Sequence, residues 1–339
     1  MKALSAFGGI SRSPNERPLQ LVRDARKWQG FVGNGSAVFA TLRVAAPAAV
    51  VLASSMGAMA QTQTPIHGHY PPGQTGLRGA AFPAVGWSFT DFNRLFSNLD
   101  VKDQSGNTAQ HVGEARYANI SLITWTTTQK ILGMNYGAVV GIPFATGNLN
   151  PGSDDVAQSG FDLGDIVITP FALSGKASSF DYQIQFAVWT PSGRFSPGAS
   201  NNRGSGFWSL VYTLGGVWYP GGDRRGWSLS AVARIEQNFE QESTGITPGD
   251  DLDIDWGIGR VVRLGTYAFE AGVSGFATWQ ISKQSGGQNP GSYRYYGIGP
   301  EVSAAFTDRW NVRLRAQWEF GAQNAVQGNN IWFIGNYQF

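Results

Sequence analysis

The sequence predicts an all-β chain, a transmembrane antiparallel up-and-down β-barrel of about twelve strands with short periplasmic turns and long extracellular loops. Three observations predict it. Charged residues make up only 14% of the 339, against about 25% in an ordinary soluble domain, while Gly reaches 45 and aromatics 13%. Long runs alternate apolar and polar residues with a period of two. The connections between those runs alternate between long and short, as they do when a sheet crosses a bilayer repeatedly.

The first sixty residues divide from the rest. Val44 to Leu52 forms a short apolar run behind Arg43, and Ala58-Met59-Ala60 is a small-residue cleavage site before Gln61. A basic flank, a short apolar stretch and an A-x-A site read as a secretory signal peptide, so 1–60 is expected to leave. The stretch upstream of Arg43 is longer than a signal needs and fits an over-extended gene start. The apolar run falls short of the roughly 20 residues a spanning helix requires. The +2 net charge resides in this segment, which holds seven bases and two acids. Of 25 bases and 23 acids, 18 and 21 remain after it, a balance of about −3. Nucleic-acid binding thereby loses its electrostatic support.

Residues 61–83 follow, with Tyr70-Pro71-Pro72-Gly73 and further glycines. Pro and Gly make this segment irregular. Two readings stay open, a plug folded inside the barrel and a loose periplasmic tail.

From 84 to 339 the strand-like runs are 84–99, 113–128, 133–146, 161–174, 180–190, 207–219, 227–238, 251–264, 267–282, 293–306, 310–321 and 329–339. Most exceed the 9–11 residues with which a tilted strand crosses a bilayer. In 310–320, Val312, Leu314, Ala316, Trp318 and Phe320 share one face and Asn311, Arg313, Arg315, Gln317 and Glu319 the other. Runs 180–190, 227–238, 251–264 and 267–282 repeat the contrast; 113–127 and 161–174 do not declare their facing. The long connections are 100–112, 147–160, 191–206, 239–250, 283–292 and 322–328. The short ones are 129–132, 175–179, 220–226, 265–266 and 307–309. Trp87, Trp125, Trp189, Trp208, Trp218, Trp227, Trp310 and Trp332 lie toward run ends, where interfacial girdles are expected.

Charges facing acyl chains cost about 2–4 kcal/mol at the midplane, so the ionic parity must face inward. Arg234, Glu236, Asp253, Asp255, Glu270, Glu301, Arg313, Arg315 and Glu319 are the expected pore-lining residues. They form either a selective constriction or an ion-pair network that fills the lumen. Eight strands leave a filled interior and sixteen an open channel, so twelve predicts a narrow lumen for small molecules. The last run places Ile331, Phe333, Tyr337 and Phe339 on one parity. Phe333, Tyr337 and the final Phe339 resemble the assembly signal that outer-membrane barrels present to the barrel-assembly machinery.

Short segments resemble a known family. They are His69-Tyr70-Pro71-Pro72-Gly73, Trp125-Thr126 with Lys130-Ile131-Leu132-Gly133, Gly164-Asp165-Ile166 with Thr169-Pro170, Pro191-Ser192-Gly193, Asn202-x-Gly204-x-Gly206-x-Trp208 and Gly297-Ile298-Gly299-Pro300. Their order and spacing across 68–339 resemble the outer-membrane proteins associated with the meta-pathway of phenol degradation. The resemblance implies a channel or transporter for hydrophobic or aromatic compounds in the bacterial outer membrane. It brings no catalytic residues, and it supports the channel more firmly than any one permeant.

Other functions find less support. There is no Cys, so no disulfide, zinc-thiolate site or cysteine nucleophile exists. The histidines are His67, His69 and His111; His111 falls in an expected outer loop near Asp103 and Ser105, a commonplace grouping for an outer-membrane lipase or protease. Asp154-Asp155 and Asp250-Asp251-Asp253-Asp255 lack EF-hand spacing and read as solvated carboxylates. Gly204-x-Gly206 precedes a strand rather than a helix, against a phosphate cradle. No cofactor is expected. The partners are outer-membrane lipid, the assembly machinery and a small permeant, with oligomeric state left open. A structural barrel sealed by ion pairs is the main alternative to a channel.

Overall fold

A computed structural model describes residues 64–146, 160–199, 202–264 and 267–339. The signal segment 1–60, the expected start at Gln61 and the Asp154-Asp155 pair lie outside the described residues. The strands are β1 (Gly86–Lys102), β2 (Thr108–Ile131), β3 (Met134–Ala145), β4 (Asp162–Leu163), β5 (Val167–Lys176), β6 (Phe180–Trp189), β7 (Ser209–Trp218), β8 (Trp227–Asn238), β9 (Asp251–Leu264), β10 (Tyr267–Gln280), β11 (Arg294–Ala305), β12 (Trp310–Gln323) and β13 (Val326–Gln338). No α-helix occurs among the described residues.

All thirteen belong to one antiparallel sheet. β4 is a two-residue strand beside β3, and β3 pairs onward with β5. The other twelve form a closed ring in which each pairs with its neighbours in sequence and β1 meets β13, with Ser88 opposite Gln338 and Leu95 opposite Ile331. Closure leaves no edge, so the ladder satisfies the backbone N–H and C=O groups that lipid cannot.

The pleat sorts the side chains. Along β8, Ser228, Ser230, Val232, Arg234, Glu236 and Asn238 are buried, while Trp227, Ala231, Ile235 and Gln237 are exposed. β9 buries Asp251, Asp253, Asp255, Gly257 and Gly259 on one parity. On β12, Arg315 and Gln317 are buried and Leu314, Trp318 and Phe320 exposed. Leu214, Ile258, Val273, Ile298, Ile331 and Phe333 continue the exposed apolar band. Such a wall is a solvent match for acyl chains, and with twelve crossing strands it makes this a transmembrane barrel of the outer-membrane kind.

The two rims differ. One carries short turns at 132–133, 177–179, 219–226 and 306–309. The two-residue turn Leu132-Gly133 has φ of 52° and 81°, the positive values that match strand twist in a tight hairpin. Trp87, Trp125, Trp218, Trp227 and Trp310 are about half exposed on this rim, an interfacial belt. The other rim carries 190–208, 239–250 and 281–293.

Several expectations need correction. The long loops expected at 100–112 and 322–328 shrink to 103–107 and 324–325, because β1, β2, β12 and β13 run on and pair there. Run 161–174 is broken at Gly164–Ile166, where Asp165 bonds away from the sheet. Trp189 and Trp332 are inward and buried, so they leave the girdle. His111 sits within β2, not in a loop. Asp251, Asp253 and Asp255 are 1–2% exposed, so they are not solvated carboxylates.

Midway along β1 and β2 the usual contrast is locally reversed. Phe92 and Ile120 point inward and are buried. Asp91, Asn93, Asn119 and Ser121 take the opposite parity, and they bond among themselves across the β1–β2 ladder.

Candidate functional site

The site is the barrel interior, built where residues 64–83 meet the inward parity of the wall. Irregular backbone away from bulk water must find partners for its N–H groups. Inward carboxylates supply them. Asp251 accepts from the Gly68 N–H at 2.9 Å. Glu236 accepts from the N–H groups of His69 at 2.7 Å and Tyr70 at 3.0 Å. Asp255 accepts from the N–H groups of Gly73 at 2.8 Å and Thr75 at 3.0 Å, from the Thr75 hydroxyl at 2.7 Å, and from the Tyr70 hydroxyl. Glu301 accepts from the Leu77 N–H at 3.1 Å. Four carboxyl groups on β8, β9 and β11 thus hold one segment through hydrogen bonds from its backbone N–H groups.

Tyr70-Pro71-Pro72-Gly73 lies at the middle of this run. Gly73 has φ of 82°, and a Cβ there would meet Gln317 and Phe276 at 2.5 and 2.7 Å, so only glycine fits the turn. Its carbonyl accepts from the Arg315 guanidinium.

Of the nine expected lining residues, six are tied to the segment and three, Asp253, Arg313 and Glu319, have other partners. Arg234, Glu236, Asp255, Glu270, Glu301 and Arg315 contact the segment or anchor those that do. Arg234 reaches Asp255 at 3.3 Å and lies over the Tyr70 ring at 4.1 Å. Arg78 of the segment bonds Glu270 at 2.7 Å. Arg315 bonds Glu301 at 2.8 Å with neither side chain exposed, and the two are register partners on β11 and β12. Asp253 is buried opposite Thr278. Glu319 stands apart, accepting from the Gly328 N–H and the Asn330 amide at 2.7 and 2.8 Å. Arg313 donates from Nε to Asn311 at 3.2 Å.

Sequence reasoning missed His69. Its Nδ1 is 3.0 Å from Glu236 and 2.8 Å from the Ser209 hydroxyl, and its Nε2 is 3.2 Å from Asp165. Burial opposes the imidazolium, but the hydrogen bonds and charges of Asp165 and Glu236 outweigh it and raise the His69 pKa to about 9. Asp165 also accepts from the N–H groups of Gly193 and Ser205, so the break in the wall, the loop 190–208 and the inner segment meet at one carboxylate. The only sequence signal was the position of His69 beside Tyr70-Pro71-Pro72-Gly73. Ser209, His69 and Asp165 superficially resemble a nucleophile triad. The Ser209 hydroxyl donates to Asn238 at 2.6 Å and is fully buried, which leaves no face for a substrate. His111 pairs with Asp100 at 2.6 Å on the outer end of β2, while Asp103 accepts from the N–H groups of Ser105 and Asn107. No group of three or more His, Asp or Glu among the described residues is placed to hold a metal.

Between the segment and the wall of β1 to β7 lies a cavity of about 250 Å³. Phe92, Ile120, Leu122, Val139, Val167 and Trp189 give it an apolar side, which accounts for the inward-facing Phe92 and Ile120 of β1 and β2. A second cavity of about 240 Å³ opens beside the short turns and shares Arg78 and Arg313 with the first.

The family profile described as "Putative MetA-pathway of phenol degradation" matches residues 100–333, more than half of the sequence. The chain belongs to this family. In this member the match runs from the end of β1 into β13, and residues 64–83 lie outside it. Among solved structures, an outer membrane channel from Pseudomonas putida F1 superposes with a TM-score of 0.62 at 13% identity, covering 80% of this chain and all of that one, which shows a shared fold. The beta domain of the Bordetella autotransporter BrkA reaches 0.41 at 12% identity over 74% of this chain and all of that one. A TodX monoaromatic hydrocarbon channel mutant reaches 0.36 at 9% identity over 76% and 91%. No curated protein sequence matches the chain.

Proposed function

We propose that this barrel is a passive outer-membrane channel for small hydrophobic or aromatic compounds, with residues 64–83 as its plug and the inward ionic residues as its pore lining. One observation carries the reading. A barrel with lipid outside normally keeps its apolar residues outside, yet β1, β2, β3, β5 and β6 turn Phe92, Ile120, Val139, Val167 and Trp189 onto an interior cavity. An apolar surface inside a transmembrane wall offers a hydrophobic solute a route that bulk water does not. Family membership and the fold shared with the Pseudomonas putida channel support it. Phe333, Tyr337 and Phe339 on the terminal strand serve as the signal read by the assembly machinery.

The test is uptake. A strain lacking the gene should take up a panel of radiolabelled monoaromatic compounds more slowly than the complemented strain, with sugars unaffected. Equal rates for every compound overturn the proposal. The buried Glu301–Arg315 pair and the carboxylate ladder favour a second reading, a sealed structural barrel. That reading expects no conductance in planar bilayers either before or after residues 61–80 are deleted; the channel expects deletion to raise it.

A further inference from the structure

The cavity beside the plug has a charge pattern that its hydrophobic wall does not require. Three arginines line it, Arg78, Arg234 and Arg313, and no Asp or Glu does. Two of the three are already neutralised by carboxylates behind the lining, Arg78 by Glu270 and Arg234 by Asp255. Arg313 is different. Its Nε donates to the Asn311 amide oxygen, and no carboxylate lies within ion-pair distance among the described residues. The carboxylates around it, Glu301 on the neighbouring β11 and Glu270 one strand further on β10, are engaged elsewhere. Glu270 holds Arg78 and the Ser228 hydroxyl, and Glu301 holds Arg315 and the Leu77 N–H.

Resting on the channel reading above, we propose that this chamber selects amphipathic monoanions, small aromatic carboxylates in particular, and that Arg313 receives the carboxylate. The guanidinium presents a planar fork that matches a carboxylate with two parallel N–H donors. The apolar side, with Phe92, Ile120 and Trp189, takes the ring. Size agrees. An apolar cavity of about 150 Å³ suffices for benzene in another protein, and here about 250 Å³ leaves room for a ring with its head group. Arg313 and Arg78 line both this chamber and the cavity that opens toward the short turns. The anion is therefore drawn to the neck between the two, on the way to the periplasm. A cationic amphiphile of the same size meets the uncompensated Arg313 guanidinium and is disfavoured.

The experiment is calorimetric titration of the full-length refolded barrel in detergent at pH 7 with benzoate, benzyl alcohol and benzylammonium. The wild type should bind benzoate about tenfold more tightly than benzyl alcohol, with benzylammonium weakest. R313Q should bring the ratio of benzoate to benzyl alcohol affinity to about one, and R313K should keep part of it. Heat-modifiable mobility on gels confirms that each variant is a folded barrel. Equal binding of benzoate and benzyl alcohol by the wild type, or an unchanged ratio in both variants, overturns the proposal while leaving a neutral hydrophobic channel intact. Failure of all three compounds to bind overturns this proposal and the channel reading together.

Discussion

Asp255→Ala is the perturbation that tests the plug most sharply. One carboxylate accepts from Gly73, Tyr70 and Thr75, the last through both N–H and hydroxyl, and it also neutralises Arg234. Hydrogen bonds to a charged acceptor contribute about 1.5–3 kcal/mol each in proteins, and bonds sharing one acceptor are far from additive. The released donors can also find water once the segment moves. Loss of about 3–4 kcal/mol of docking energy is therefore expected, which at 1.4 kcal/mol per decade multiplies the undocked population about 10²–10³-fold. Two assays read it. In planar bilayers the variant should show frequent large openings where the wild type shows few. In vesicles, trypsin should cleave after Arg78 in the variant much faster than in the wild type. Unchanged conductance together with unchanged cleavage in a folded D255A barrel would refute the claim that this ladder fixes the segment.

Three more predictions follow from the same geometry. The His69 pKa is raised from about 6.5 to about 9, so its contribution to docking is complete below about pH 6.5 and is lost as pH rises through 9. Wild-type conductance should rise between pH 7 and pH 10, and H69Q, which cannot titrate against Asp165 and Glu236, should flatten that profile. R315A strands Glu301 without its partner in a dry site and should destabilise the barrel by about 3–5 kcal/mol in denaturant unfolding, whereas replacing both by apolar residues should cost less. L314R, one residue away but facing lipid, should cost about 2–4 kcal/mol in vesicles through insertion of a charge rather than loss of a pair.

The sequence revealed most where lipid and lumen impose opposite demands on one strand. β8, β9 and β12 alternate charge with Leu, Ile and Trp because each residue faces one solvent or the other, and their bounds were legible almost to the residue. β2, which pairs with β1, was not legible in facing. Midway along both strands Phe92 and Ile120 face the apolar side of a chamber and the outer side hides Asp91 and Asn119 in mutual hydrogen bonds, so polarity there no longer reports direction. The break before β5 was missed because Asp165 is pulled out of the ladder by Gly193, Ser205 and His69, all distant in sequence. The same distance concealed the burial of Asp251, Asp253 and Asp255. For Asp251 and Asp255 the partner is not water but a segment about 180 residues upstream, as the bonds from Gly68 and Gly73 show, while Asp253 is buried opposite Thr278. His69 was invisible for that reason too, since all three of its polar contacts are long-range.

The closed sheet turns one parity to acyl chains and the other to an interior that holds residues 64–83. The chain has no Cys, so single cysteines introduced at successive positions 312 to 320 of β12 can each carry a nitroxide without background. In lipid vesicles, collision with oxygen should peak at 312, 314, 316, 318 and 320, and collision with a water-soluble nickel chelate should be low at those positions. The odd positions should show the converse wherever the plug leaves water. A flat profile, or one repeating every three to four residues, would contradict the account.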